Sequence, residues 1–227
     1  MFQLTRYTKN PILSPLPGSE WEDEAVFNPA VQHKDGVTYM LYRAVGEYDH
    51  YISRVGLATS TDGVTFTRAS GNPVLTPEAE FEHGAIEDPR TTVFGDTIYV
   101  TYTALPEPIN PGGQVANVDH QPVVPAAALA ETTDCLSFTR HGIISPPDVE
   151  DKNAVMFGDK VNGRFACLHR PHRWSKVWLN DPRSSEIEIE YPCDVDDLPE
   201  RPSVWIMYSD DLVEWGDHAL VMEATHE

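Results

Sequence analysis

The sequence predicts an all-β fold assembled from four-stranded units, the kind of unit that forms the blades of a β-propeller. Three observations support this prediction. Apolar and polar residues alternate over short segments such as residues 97–102, which is the period of a strand. Nineteen prolines and fourteen glycines are spread along the chain and suit many short strands and turns. The chain also repeats itself, and no long stretch has the period of a helix.

The first part of the repeat runs through two predicted strands. Residues 27–30, followed by residues 39–44, match residues 87–90, followed by residues 99–104, at an offset of 60. In each copy the first strand opens on a polar residue, and the second strand is alternating and aromatic. A turn signal, such as the Asp-Gly pair at 35–36, joins the two strands.

The second part of the repeat supplies two more strands per unit. Residues 57–68 match residues 129–140 at an offset of 72, each with a Ser/Thr-x-Asp turn and a following phenylalanine. A degraded third copy is legible at residues 152–155, 164–168 and 207–215. We therefore predict a single domain over residues 1–227, with approximate blades at 26–70, 86–142 and 151–222.

Three blades are fewer than a closed propeller needs, since known propellers have at least four. The sequence thus predicts an incomplete propeller, either part of a longer enzyme or a chain that closes as a homo-oligomer. An open blade edge would favour pairing with another chain.

The stretch Ala85-Ile86-Glu87-Asp88-Pro89-Arg90 is the strongest candidate for chemistry. Pro89 is expected to bias Asp88 to an extended conformation. Strand alternation would put Asp88 and Arg90 on one face and turn Glu87 away, in a structural role. A surface ion pair is the plain alternative for an isolated motif. The repeat favours function, because the first strands of propeller blades line one central channel, where Asn28, Asp88 and Asn153 (or Lys152) would converge.

Composition excludes several partners. The formal net charge of −20 argues against nucleic acid and against an anionic membrane. No apolar run reaches the roughly 18 residues of a membrane-spanning helix. Three widely spaced cysteines and the absence of a secretory signal pattern predict a cytoplasmic protein with reduced thiols. The histidines show no metal-ligand spacing, so no metal site is predicted.

The joint order of several motifs resembles glycoside hydrolase family 130, the family of β-mannoside phosphorylases built on a five-bladed propeller. The resemblance covers most of the chain, corresponds to the N-terminal part of the family's domain, and rests on FNPA at 27–30, LYRA at 41–44, EDPR at 87–90 and LHRP at 168–171. It implies an enzyme that uses no cofactor and takes a β-mannoside oligosaccharide and inorganic phosphate as substrates.

The resemblance also implies roles for individual residues. Asp88 would be the general acid, acting in part of the family through a sugar hydroxyl. Asn28, Arg43 and Arg90 would contact the mannosyl unit or shape the pocket. Lys152 and Asn153 lie where the family binds phosphate. The basic run that contains His169 and Arg170 would bind phosphate or sugar hydroxyls.

One candidate acid beside several cations suits inverting phosphorolysis, because phosphate is itself the nucleophile and needs cations more than a second carboxylate. The expected product is α-mannose 1-phosphate. Two alternatives stay open: a β-mannosidase of the same family, which uses water, and an inactive sugar-binding propeller fragment.

Three further features have competing interpretations. Trp21, among the acidic residues 20–24, would either stack on a sugar or belong to a solvated loop. The recurring Asp62, Asp134 and Asp211 are expected to be turn residues rather than catalytic groups. The acidic stretch 186–197 is expected to be a surface excursion that caps the acceptor side of the site.

Overall fold

The computed structural model describes residues 3, 5–110, 114–115 and 124–225, and its main feature is three four-stranded antiparallel sheets that follow one another along the chain. The first sheet contains β1 (Ala25–Lys34), β2 (Val37–Val45), β3 (Ser53–Ser60) and β4 (Thr67–Arg68). The second sheet begins with β5 (Ala85–Phe94) and β6 (Thr97–Leu105). A short separate pair follows, formed by β7 (Ile109–Asn110) and β8 (Gln114–Val115).

The remaining strands complete the second sheet and form the third. The second sheet ends with β9 (Ala126–Thr132) and β10 (Thr139–Ile143), in the order β10-β9-β6-β5. The third sheet contains β11 (Asp151–Met156), β12 (Phe165–Pro171), β13 (Val204–Ser209) and β14 (Gly216–Met222). The helical segments are all short: α1 (Lys176–Leu179) and 3₁₀ turns at Glu80–Glu82, Pro182–Glu186 and Val195–Asp197. The all-β prediction is therefore confirmed.

Neighbouring sheets pack face to face through their apolar side chains. One buried cluster joins the first two sheets and includes Leu41, Val55 and Ile86. A second cluster joins the second and third sheets and includes Leu129 and Met207. The sheets share these cores because each strand turns alternate residues to the neighbouring sheet.

The Ser/Thr-x-Asp turns have the same geometry in all three sheets. The Asp62 carboxylate accepts hydrogen bonds from the backbone N–H groups of Val64 and Thr65, and Ser60 Oγ accepts one from Gly63. The same bonds form around Asp134 and Asp211. These backbone donors hold the pKa of all three carboxyls below the usual range. The structural interpretation of the recurring aspartates is confirmed.

In the first sheet, a buried glutamate contacts both a tyrosine of β2 and an arginine of β4. Glu22 is 2% exposed, accepts a hydrogen bond from the Tyr42 hydroxyl at 3.1 Å, and pairs with Arg68 Nε at 3.0 Å. Burial, and next the Glu22 charge, raise the pKa of Tyr42. The buried carboxylate is thus paired with side chains of both β2 and β4.

The second sheet repeats this clamp with Glu82, Tyr102 and Arg140. The expectation of a solvated acidic loop is therefore wrong for Glu22, which is buried, whereas Glu20, Asp23 and Glu24 are exposed. Trp21 packs on Tyr42 with ring centroids 5.9 Å apart. Gly56 leaves room for both rings, since a Cβ there would lie 2.4 Å from Tyr42 Cζ.

Candidate active site

A β-bulge near the start of each sheet's first strand brings the candidate residues together. Asp88 and Pro89 both stand opposite Tyr102, because Glu87 pairs with Thr103 and Arg90 pairs with Thr101. The φ angle of Asp88 is +49°, in the left-handed region. The expectation that Pro89 keeps Asp88 extended is therefore wrong, and so is the simple alternation predicted for this segment. A bulge re-aims side chains, and Asp and Asn tolerate its positive φ.

The other two sheets have the same bulge. The residues equivalent to Asp88 are Asn28 in β1, with φ +45°, and Asn153 in β11, with φ +64°. The backbone conformation thus favours Asn or Asp at these three positions, because these residue types enter the left-handed region at low cost.

The structure brings Asn28 and Arg43 onto the carboxylate of Asp88. Asn28 Nδ2 donates to Asp88 Oδ1 at 2.9 Å, and Arg43 Nη1 donates to the same oxygen at 3.0 Å. No residue in the described part of the chain hydrogen-bonds Asp88 Oδ2. The Asp88 side chain is 20% exposed, so this second oxygen is available to a ligand.

Arg43 itself is held on all sides. Its Nε donates to Ser53 Oγ at 2.8 Å, and its Nη2 donates to Glu87 Oε1 at 2.5 Å. The guanidinium also lies over the Phe27 ring, 4.6 Å from the centroid. Arg43 is only 7% exposed, so its role in this geometry is to fix Asp88 rather than to reach into solvent.

Glu87 is the residue whose position the sequence analysis misjudged. Alternation was expected to turn it away from Asp88, but both carboxylates contact the guanidinium of Arg43 because the bulge lies between them. Glu87 Oε2 also lies 3.9 Å from Lys152 Nζ of the third sheet. Burial raises the pKa of Glu87, while Arg43 and Lys152 oppose the shift. The Asn or Asp at the equivalent positions 28, 88 and 153 was the signal that could have predicted the bulge, because these residue types tolerate a left-handed backbone.

The third sheet supplies the cations on the other side of Glu87. Lys152 is half-buried, and Arg170 Nη2 donates to Asn153 Oδ1 at 3.0 Å. Arg170 pairs with Lys152 across β12 and β11, so both cations lie at the same end of the sheet as the bulge. Arg90 is half-buried and donates from Nη1 to the backbone carbonyls of Asp88 and Pro89, not to the carboxylate.

His169 is placed differently from its neighbour Arg170. It is 1% exposed, and its Nδ1 lies 2.6 Å from Asp151 Oδ2. It stands opposite the bulge of β11, the position that Tyr42 and Tyr102 occupy in the other sheets. The structure therefore does not bring His169 to the surface where Arg170 and Asn153 lie.

Neither a metal site nor a membrane-spanning helix is found among the described residues. No cluster of three or more histidines, cysteines or acids among them has an arrangement that could hold a metal ion. None of the helices they form is long and apolar enough to cross a membrane.

Comparison with known proteins identifies the family. The family model described as beta-1,4-mannooligosaccharide phosphorylase matches residues 4–225. A 1,2-beta-oligomannan phosphorylase from Thermoanaerobacter sp. is 30% identical over 228 residues, with 98% of this chain and 62% of that protein covered. A beta-1,2-mannobiose phosphorylase from the same organism is 32% identical over 190 residues, with 79% and 57% covered.

Solved structures share the fold. The beta-1,2-mannobiose phosphorylase of Listeria innocua, in complex with beta-1,2-mannobiose, superposes with a TM-score of 0.65 at 23% identity, over 96% of this chain and 65% of that one. A protein from Parabacteroides distasonis gives a TM-score of 0.67 at 23% identity, over 96% of this chain and 62% of that one. The chain thus spans less than two thirds of the length of these relatives. Because the family model matches nearly the whole of this chain, residues 4–225, the chain belongs to glycoside hydrolase family 130.

Proposed function

We propose that the protein cleaves β-mannosides by inverting phosphorolysis, transferring a mannosyl unit to inorganic phosphate and giving α-mannose 1-phosphate. The observation that carries the proposal is the convergence of Asn28 and Arg43 on Oδ1 of Asp88, which leaves Oδ2 as the proton donor. Family membership and the phosphorylase names of the relatives support it.

In this mechanism Asp88 Oδ2 delivers a proton to the departing glycosidic oxygen, directly or through a hydroxyl of the sugar. A phosphate oxygen attacks the anomeric carbon from the opposite face as the carbon–oxygen bond breaks. Lys152 and Arg170, with Asn153, would hold phosphate in line, and Asn28 and Arg90 would border the mannosyl unit. The proton that Asp88 gives up is then replaced from water.

The placement of Glu87 favours phosphorolysis over hydrolysis. An inverting hydrolase needs a second carboxylate across the sugar, about 6.5–9.5 Å from the acid, to activate water. Glu87 instead shares the guanidinium of Arg43 with Asp88 and is 4% exposed. It is therefore a buried support for the acid rather than a base on the opposite face.

We further propose that the three sheets are three blades of a five-bladed propeller, with the bulges facing its central channel. As separate proposals, the protein is a cytoplasmic enzyme and uses no cofactor. The names of the relatives favour β-1,2 linkages, while the family description names β-1,4 linkages.

The test is an assay of the protein at its full natural length with β-1,2- and β-1,4-mannobiose, each with and without phosphate. We expect mannose 1-phosphate from β-1,2-mannobiose, only when phosphate is present. Free mannose released at the same rate without phosphate would show a hydrolase and overturn the proposal. Binding of mannobiose with no product under either condition would also overturn it and would support the inactive sugar-binding alternative.

A further inference from the structure

A cavity away from the Asp88 site lies beside the third sheet, next to the linker that joins it to the second sheet. It has a volume of about 530 Å³ and is lined by the linker residues Pro146–Asp148, by segment 188–192 and by the start of β14. None of the residues that line it belongs to the group around Asp88. The size is within the usual range of small-molecule sites.

The chemistry of the walls is aromatic and acidic. Tyr191 and Trp215 supply half-buried rings, with Trp174 almost completely buried beside them. Acidic residues are Asp148, Glu188, Glu190 and Asp217, of which Asp217 is paired with Arg164 Nη1. No lysine or arginine is among the described residues that line the cavity. These walls repel anions such as phosphate and suit a ligand that donates several hydrogen bonds and presents an apolar face.

A buried chain of polar groups ends at this cavity. Asp151 contacts His169 Nδ1, and His169 Nε2 lies 3.2 Å from Nδ1 of His218. His218 lines the cavity, and no described residue hydrogen-bonds its Nε2. The ring is neutral at pH 7, because burial, and next the proximity of His169, lower its pKa to about 4.

In the first and second sheets, a glutamate and an arginine occupy the position next to the residue equivalent to His169. There the tyrosine equivalent to His169 is held by a buried glutamate, and an arginine, Arg68 or Arg140, covers that glutamate. In the third sheet the neutral His218 stands beside His169 instead, and the cavity opens next to it. The arrangement is thus specific to the third sheet and not a general feature of the repeat.

We propose that this cavity binds a neutral saccharide. Sugar rings would stack on Trp215 or Tyr191, which are half-buried, while hydroxyl groups donate to Glu188 and to the other carboxylates. His218 Nε2 would add a polar contact at the inner end. The proposal does not depend on catalysis at Asp88, because no wall of the cavity comes from that site.

The test is ¹⁹F NMR of the whole chain labelled with 5-fluorotryptophan, titrated with β-1,2-mannobiose, cellobiose and sodium phosphate. Trp174 and Trp215 resonances are assigned by single replacement with phenylalanine. We expect at least one of the two disaccharides to shift both resonances saturably, and we expect phosphate to leave them unchanged. Absence of any shift with both sugars, or shifts produced by phosphate alone, would overturn the proposal.

Paired variants locate the binding. Glu188→Ala should weaken the dissociation constant read from these resonances about tenfold, the effect of losing one charged acceptor. Glu186→Ala is the matched control, since this exposed acid belongs to the same segment but does not line the cavity. Equal dissociation constants for the two variants would contradict the proposal. Asp88→Asn should leave the titration unchanged, and a change would place the sugar at the Asp88 site instead.

Discussion

Asn28 and Asp88 occupy equivalent bulges in neighbouring sheets, 60 positions apart in the chain, and the side-chain amide of the first donates to the carboxylate of the second at 2.9 Å. The repeat therefore forms a polar cluster here by placing different polar residues at one backbone position, which the packing of the sheets brings together. The bond ends on Oδ1, as does the bond from Arg43, so the carboxylate is fixed while its other oxygen stays open.

Asp88→Asn should abolish phosphorolysis without unfolding the protein. Asparagine keeps an oxygen for the bonds from Asn28 and Arg43 and tolerates the positive φ, but it cannot donate a proton as an acid. We expect kcat to fall by about 10²–10⁴-fold, measured as release of mannose 1-phosphate. Asp159→Asn, at an exposed acid, is the matched control and should retain full activity.

Arg43→Lys should lower activity although the positive charge is kept. Lysine cannot bond Ser53, Glu87 and Asp88 at once, because it lacks the fork of the guanidinium. The displaced acid should reduce kcat by about 10²-fold, the usual cost of a misplacement near 1 Å. Arg54→Lys, at an arginine of β3 that does not contact Asp88, is the matched control. Equal kcat values for the two variants would show that Arg43 does not position the acid.

Glu82→Ala should destabilise the second sheet strongly. Glu82 is 0% exposed, and its loss leaves the Tyr102 hydroxyl and the Arg140 guanidinium without their shared acceptor. We expect the free energy of unfolding in urea to fall by about 3–5 kcal/mol. Glu78→Ala removes only the exposed partner of Arg140 and should cost less than about 1 kcal/mol. Similar losses for both would refute the buried clamp.

His218 should make the protein less stable in mild acid. Its native pKa is lowered to about 4 from 6.5, so the unfolded chain takes up a proton that the native chain refuses as the pH falls through this window. The stability contributed by the neutral ring is present above pH 6.5 and is lost as the pH falls towards 4. Urea unfolding of His218→Asn should therefore show a shallower fall of stability over this range than the natural chain. Parallel pH profiles would contradict the assignment.

The sequence indicated much of the fold through its repeat. The alternation in residues 97–102 and the recurring turn aspartates depend on contacts within a few residues, so local pattern was enough to predict strands and turns. The four-stranded order also followed from the repeat, because successive hairpins pair with their neighbours in the chain. The motif order at 27–30, 41–44 and 87–90 then indicated the family.

Other features could not be predicted from local pattern. Glu87 and Asp88 face the same guanidinium only because a bulge breaks the alternation between them. Glu22 looked like one acid in a solvated loop, yet it is buried under Tyr42 and Arg68, which lie 20 and 46 positions away. His169, adjacent to Arg170 in sequence, points into the interior while Arg170 reaches the surface.

By itself the sequence determined the strands and their grouping in fours, because these follow from spacing along the chain, and the resemblance of its motifs indicated the family. The convergence of Asn28 and Asp88 also followed from the repeat. Tertiary structure alone decided other contacts: Glu87 with both Arg43 and Lys152, and His169 with His218. The physical reason is that these contacts join different sheets, depend on a bulge, or join strands that are not neighbours in their sheet, as β12 and β14 are not. Their geometry is set by how the strands and sheets pack and by where the backbone departs from regular alternation.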